Sequence, residues 1–455
     1  MPRDPRSASR QAILIHNEQP HPPPMLARLQ RGTFVRGVAL LVGGAAGAQL
    51  INAIAAPLLT RIYRPDEIGL LGLCLAFISV ASVALSLRYE QAIVVPAESA
   101  VAGRVALISL GLLLPVTVLT SLALVLLVVS DTAGFGALPP WSMALVALSL
   151  LVLGTTAVLR YWLIRLGRFD VIAGVTIGQS IARAVSQVGL GAAGFGLLGL
   201  LVGDLVGRVA GLGRLVRGAW HPLGAAMREP LARPLSRVSA EYAQFPLVGV
   251  PSSLLNALAS HVPTPLLVAH YGLPAAGFFS LVQRVLAVPL SVIGASVADA
   301  LLARMSEHVR GAPQHAERLF RLTAFGLLAI AFPLAVVVVV AGPPTFEVIF
   351  GSEWRDAGRI AAVMAPWYTA ALVVSPLSRV VLVYRGQVSK LAYDVISLSV
   401  AVASISVAAA LGADPVQAIW YLSIGQAGAY AVYLVILWRI VRRGAPTAPD
   451  AGGTG

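Results

Sequence analysis

The sequence predicts an all-α integral membrane protein, with about twelve transmembrane helices in two six-helix lobes related by a parallel pseudo-two-fold repeat. Three observations carry that expectation. Hydrophobic residues are 57% of the chain against 12% charged, and the mean hydropathy is +0.82, far from the balance of a soluble domain. Apolar stretches follow one another along nearly the whole chain, each near the roughly 20 residues that ~30 Å of hydrocarbon requires. Arginines collect in every second connection: before Phe34, at Arg88 and Arg104, at Arg160, Arg165 and Arg168, between Arg208 and Arg237, between Arg304 and Arg321, at Arg379, Arg385 and Lys390, and at Arg439, Arg442 and Arg443. The intervening connections hold few, Arg61 and Arg64 in one and Arg355 and Arg359 in another, each beside acids. Lys/Arg excess in short loops marks the cytoplasmic face, so both termini are expected inside.

The elements follow in order. Residues 1–33 are polar and proline-rich (HPPPM at 21–25), lack the apolar core of a signal peptide, and are expected to form a disordered cytoplasmic leader. A translation start at Met25 would leave MLARLQRG as a short basic end. The first lobe, 34–216, holds expected spans at 34–60, 67–87, 104–130, 138–160, 170–194 and 196–216. The longest interior connection, 217–241, carries Pro222, Pro230, Pro234 and several arginines, and is the natural cytoplasmic linker. The second lobe, 242–440, holds spans at 242–269, 275–303, 320–342, 358–383, 388–411 and 415–438, and 441–455 is a flexible tail.

An internal repeat supports this division. PLLTRIYRPDEIG (57–69) and PLLVAHYGLPAAG (265–277) share Pro57/Pro265, Leu58/Leu266, Leu59/Leu267, Tyr63/Tyr271 and Gly69/Gly277, with Leu73/Leu281 beyond, all at one offset of 208. Each copy ends an odd span and begins the next, so both halves keep the same orientation; chance matching in a biased composition is the alternative. In RPDEIG the proline and two acids suit a first helical turn. In FGSEWRDAGR, Trp354 fits an interfacial anchor and Asp356 a helix cap, with structure or gating the expected role. Gly199, Gly203, Gly207 and Gly211 recur every fourth residue on one helix face, a spacing that lets helices approach closely.

Several function classes drop out. The net charge of +13 is spread over separate loops, with no compact basic patch and interleaved aromatics, so no nucleic-acid partner is expected. The single Cys74 lies inside an apolar span, and the seven histidines show no ligand spacing, so neither a disulfide framework nor a metal site is expected. GFGLLG (194–199) matches a dinucleotide fingerprint by letters, but no strand precedes it. No reactive constellation stands out, so no catalytic residue and no cofactor is expected, and the chain is expected to be a transporter.

Ionisable groups inside spans are costly and usually face a cavity or a partner. Arg183, Asp204, Arg284 and Asp299 are such groups. Arg183 lies about 16 Å and Asp204 about 12 Å from the outer ends of their spans, depths at which the two can meet. A structural pair, an Asp204–Arg208 pair one turn apart, and a substrate-facing Arg183 all stand as readings. Arg284 lies about 13 Å below the outer surface, follows Gln283, and has no acid three or four residues away. It needs water, an anion, or an acid on another helix, and phosphate suits a planar guanidinium that stays charged. Arg88, about 31 Å from the outer start of its span, stands at the cytoplasmic mouth, as a first phosphate contact or an anchor paired with Glu90. Gln49, Asn52, Gln179, Gln187, Gln244 and Asn256 add hydrogen-bonding groups, some for a cavity and others for joining helices. The candidate substrate residues are therefore Arg284, Arg183 and Arg88, with Asp204, Gln49, Asn52, Gln283 and Asn256 as cavity or coupling groups. Asp299 falls near the inner end, for closing that side or capping basic residues.

TRIYRPDEIGLLGL with RYEQAIVVP, then EYAQFPLVGVPSSLLNAL (241–258), YGLPAAGFFSLVQRVLAVPLSVIG (271–294) and FGSEWRDAGR, together resemble the Wzx-like lipopolysaccharide-biosynthesis branch of the multidrug/oligosaccharidyl-lipid/polysaccharide (MOP) exporter superfamily. The resemblance spans about 34–440. It implies two six-helix lobes, a central cationic cavity, and alternating access in the bacterial inner membrane. It also implies the cargo, an undecaprenyl-pyrophosphate-linked oligosaccharide, and as partners membrane lipids and the polysaccharide polymerase or export machinery. Coupling to H+, Na+ or membrane potential is left open, as is the rival of a cation-coupled multidrug exporter, which would want acids in its cavity. A membrane glycan polymerase or ligase would be expected to carry a larger outer loop than 343–357.

Overall fold

The computed structural model describes residues 24–230, 233–311, 313–384 and 387–443; residues 1–23 of the expected leader and 444–455 of the tail lie outside it. Among the described residues there is no strand. The first half consists of α1 (Pro24–Ile62), α2 (Pro65–Ser82), α3 (Ser99–Val129), α4 (Ser142–Arg165), α5 (Phe169–Ala192) and α6 (Gly196–Val209). After α7 (Leu212–Arg228) come α8 (Val250–His261), α9 (Pro263–Gly311), α10 (Pro313–Phe350), α11 (Arg355–Leu377), α12 (Gln387–Ala410) and α13 (Pro415–Arg443). α1 begins at Pro24, so the last part of the segment expected to be a disordered leader is helical.

Among the described residues ten helical stretches are long and apolar enough to cross a membrane, which makes this a multi-pass membrane protein. One of them, Phe245–Leu302, has 58 residues and holds two crossings, because α9 breaks at Gly272 (φ 82°, ψ 175°). Glycine alone takes that conformation without strain. Counting that stretch twice gives eleven; α5, which carries Arg183 and lies outside the ten, packs between α1 and α6 as the twelfth long helix of the expected arrangement.

The two halves repeat one packing pattern. α1 packs on α5, α5 on α6, α3 on α4 and α4 on α6. In the same order α8 packs on α12, α12 on α13, α10 on α11 and α11 on α13. The repeat found in the sequence lies on the axis between them. A Cβ on Gly69 would overlap Leu273 O, and one on Gly277 would overlap Pro65 O. Leu273 stands 208 residues after Pro65, as Gly277 does after Gly69, so the contact is isologous. Only glycine lets the backbones of α2 and α9 touch there.

Alternate connections place the arginines at one end of the bundle and leave the other arginine-poor. The cores are distributed accordingly. A shared core joins both halves at the arginine-poor end, with Tyr63, Leu71 and Leu73 against Leu267, Phe279 and Trp354. Toward the arginine-rich end each half has a core of its own, around Trp162, Leu163 and Leu215 in one and Met305, Phe320 and Leu377 in the other. The two halves are thus joined by a shared core at one end and packed separately toward the other, with a cavity between them.

Trp354 is a correction to the interfacial anchor expected. It is 1% exposed, and its indole N–H donates to Thr60 O at 2.9 Å, so it fastens the two halves instead of meeting lipid headgroups. Asp356 is no cap; it sits in the first turn of α11 and pairs with Arg359 at 2.9 Å. Arg61 adds a donation to Val348 O at 3.3 Å across the same seam. At the start of α2, Pro65, Asp66 and Glu67 occupy the first turn as expected, and the Arg64 N–H donates to Glu67 Oε2 at 2.9 Å.

The segment expected to be a plain linker is largely helical. In α7 Leu215, Ala219, Leu223 and Ala226 are buried at helical spacing against α3 and α4, while Arg214, Arg217 and Trp220 stay exposed. Such a two-sided helix suits the headgroup boundary.

Candidate functional site: a cationic cavity between the halves

A cavity of about 180 Å³ lies between the halves, lined by Gln49 and Asn52 of α1, Arg183 and Gln187 of α5, Asp204 of α6, and Arg284 of α9 among others. Its positions follow from helix periodicity and from glycine. Gln49, Asn52 and Ala56 lie at i, i+3 and i+7 on α1, one face of that helix. The glycine run of α6 packs on α5: a Cβ on Gly203 would come within 2.5 Å of Gln187 Cγ, and one on Gly207 within 2.5 Å of Arg183 Cβ. The missing side chains let α5 and α6 close up, and thereby fix the two cavity residues opposite.

Asp204, 4% exposed, receives two guanidiniums. Arg208 Nε donates to Asp204 Oδ2 at 2.6 Å, and Arg183 Nε lies 3.1 Å from Oδ1. Both pairings read from the sequence therefore form at once. They are not equal. The Arg208 contact is a directed hydrogen bond, whereas Arg183 Nε is buried with no hydrogen-bond partner. Gln179 helps hold the turn by donating to Arg208 O at 3.1 Å.

Arg284 enters the cavity from the other half, within electrostatic reach of Arg183 and Asp204. Among the described residues no carboxylate lies within the 4.0 Å of an ion pair to it, on its own helix or another. Three guanidiniums, Arg183, Arg208 and Arg284, face one carboxylate, Asp204, leaving an excess of two positive charges. Like charges gathered in a low-dielectric interior repel, so the arrangement calls for an anion.

Other candidates stand elsewhere. Arg88 is not brought to this cavity. It sits at the arginine-rich end against Gly249, 4.0 Å from Glu90, in a left-handed conformation (φ 65°) that follows a second one at Leu87. Glu90 is buried and accepts from the Ser86 hydroxyl. The anchor reading of Arg88 thus describes its contacts. Gln283 is half-buried on α9 and does not line the cavity, because its neighbour Arg284 takes the cavity-facing side. Asn256 donates to Asp394 Oδ1 at 3.1 Å and so joins α8 to α12. Asp299 is exposed, and Gln187 spends its amide on Leu200 O at 3.0 Å.

Asp394 itself is the charged residue the sequence reading passed over. It has no exposure, and Lys390 Nζ meets its two oxygens at 2.8 and 3.1 Å. The signal was the i, i+4 spacing of a lysine and an acid at a span's edge.

Residues 58–359 match the family described as polysaccharide biosynthesis protein. No curated protein matches the chain. Among solved structures, an inward-facing multidrug resistance MATE family transporter of the MOP superfamily superposes with a TM-score of 0.64 at 14% identity, over 87% of this chain and 94% of that one. The lipid II flippase MurJ, in an inward closed conformation, gives a TM-score of 0.55 at 12% identity over 90% and 87%. A MOP superfamily transporter from Pyrococcus furiosus, described as having a binding pocket of reverse polarity, gives 0.53 at 13% over 90% and 95%. At these identities the likeness establishes a shared fold, that of the MOP transporters.

Proposed function

The chain belongs to the polysaccharide biosynthesis protein family, and from that premise we propose that it is a flippase for an undecaprenyl-pyrophosphate-linked oligosaccharide in the bacterial inner membrane. The cationic cavity carries this reading: two arginines from opposite halves, Arg183 and Arg284, converge, and with Arg208 held on Asp204 the group has an excess of two positive charges. A diphosphate joined at both ends carries about one negative charge per phosphorus, which matches that excess. Unaided passage is prohibitive, since charged and hydroxylated groups lose their hydration in hydrocarbon. A wet cleft lined by guanidiniums and by the amides of Gln49 and Asn52 replaces it, while the polyprenyl tail stays in lipid.

With the arginine-rich end cytoplasmic, the cleft opens inward. The cargo enters there, its diphosphate bridges Arg284 and Arg183, and neutralising their repulsion draws the halves together at that end. Release outward then requires the arginine-poor seam of Trp354, Thr60, Gly69 and Gly277 to part. A flippase fold described for lipid II lends support, because that fold accommodates a lipid-linked cargo. A multidrug cation exporter is less well supported: the carboxylate lining this cavity, Asp204, is held by two arginines.

Arg284→Ala tests the reading. Surface polysaccharide is expected to disappear while the amount of protein in the membrane is unchanged. A charge-assisted bidentate contact contributes about 1.5–3 kcal/mol, or roughly ten- to hundredfold in affinity. Normal export by this variant would remove Arg284 from the site.

A further inference from the structure

We propose that Arg208 is a positioning residue that keeps Asp204 neutralised, so that Arg183 can leave Asp204 and grip an anion together with Arg284. The inference rests on the anion-binding reading of the cavity and adds how its charges are managed.

The geometry divides three guanidiniums into two jobs. Arg208 is one turn below Asp204 on the same helix, is 13% exposed, and makes the directed 2.6 Å contact. It shares its rise and its direction with the acid, so nothing in the cavity need move to keep that bond. Arg183 reaches Asp204 from α5 at 3.1 Å without hydrogen-bond geometry. Its side chain is 32% exposed although Nε is buried, so the exposed part is the far end, toward the cavity it lines. One negative charge does not neutralise two guanidiniums, and the contact without hydrogen-bond geometry is the weaker of the two.

An unheld Asp204 would behave differently. Its carboxylate is buried at 4% exposure, and without Arg208 the remaining cation in ion-pair contact with it, among the described residues, is Arg183. Arg183 would then be fixed on the acid and lost to the ligand. Arg208 therefore acts on the anion through Asp204, without touching it. The same logic makes Asp204 a competitor for Arg183, whose removal should strengthen anion binding.

Isothermal titration of the full-length chain in detergent micelles with inorganic pyrophosphate tests this. Wild type is expected to bind and Arg284→Ala to lose at least about tenfold in affinity. Arg208→Gln is expected to lose about tenfold as well, although it lies outside the cavity lining. Asp204→Asn alone is expected to bind more tightly than wild type. The pair Asp204→Asn/Arg208→Gln is expected to recover to within about threefold of wild type, because the competitor is gone. A merely structural Arg208 predicts no such rescue. Should Arg208→Gln not yield monodisperse protein, Arg208→Lys replaces it, with a smaller loss that Asp204→Asn again restores. Wild-type affinity in Arg208→Gln, no rescue in the pair, or weaker binding by Asp204→Asn would each overturn the assignment of Arg208. Absence of wild-type binding, or an unaffected Arg284→Ala, would instead overturn the anion cavity and this inference with it.

Discussion

Lys390 and Asp394 show what a charge costs inside this bundle. Asp394 is wholly buried, with Lys390 its one cationic partner among the described residues and Asn256 its amide donor. Lys390→Met leaves that carboxylate without a counter-charge and is expected to destabilise the protein by about 3 kcal/mol. Thermal unfolding in detergent should show the loss, with most of it recovered in Lys390→Met/Asp394→Asn. Arg284 was legible in the sequence because its depth and its lack of an acidic neighbour are both counted along one helix. The Arg183–Asp204 meeting was legible as matched depths on consecutive spans. Asp394 was not, since six residues inside a span's expected start reads equally as a solvated edge, and only packing with α8 and α13 decides burial. Gln283 and Asn256 were polar residues of the right kind whose facing a linear sequence does not state.

At the scale of elements, glycine sets where helices touch. Gly207→Val would drive a side chain into Arg183, whose Cα stands 3.0 Å from even the first added carbon. Overpacking of this kind costs about 1–3 kcal/mol, so a lower unfolding temperature and weakened pyrophosphate binding are expected together. Gly69→Val, at the axis between the halves, is expected to fold but to hold the arginine-poor end apart. Spin labels flanking that seam should report a longer distance than in wild type, with flipping lost. The four-residue glycine period and the repeat at offset 208 were both readable beforehand. The helix α7 was not read, although Leu215, Ala219, Leu223 and Ala226 keep helical spacing, because the prolines around it suggested a linker. Pro222 is tolerated inside α7, and the helix gains its stability from the buried side.

At the scale of the whole molecule, the number of crossings and their alternation were set by hydropathy and arginine placement, while the state of the cleft was not. That state depends on a shared core at one end and separate cores at the other, a property of three-dimensional packing that no single span carries. Orientation has its own check. In a Cys74→Ala background, Thr132→Cys at the arginine-poor end should react with an impermeant maleimide added to intact spheroplasts, and Arg237→Cys should not. Movement of a lipid diphosphate through a cavity held by Arg284 is the central claim. Its most direct test is a leaflet assay in proteoliposomes of the purified chain, loaded with a labelled undecaprenyl-pyrophosphate oligosaccharide. Wild type is expected to carry the label across and Arg284→Ala to leave it where it started; equal transfer by both, or none by wild type, would contradict the account.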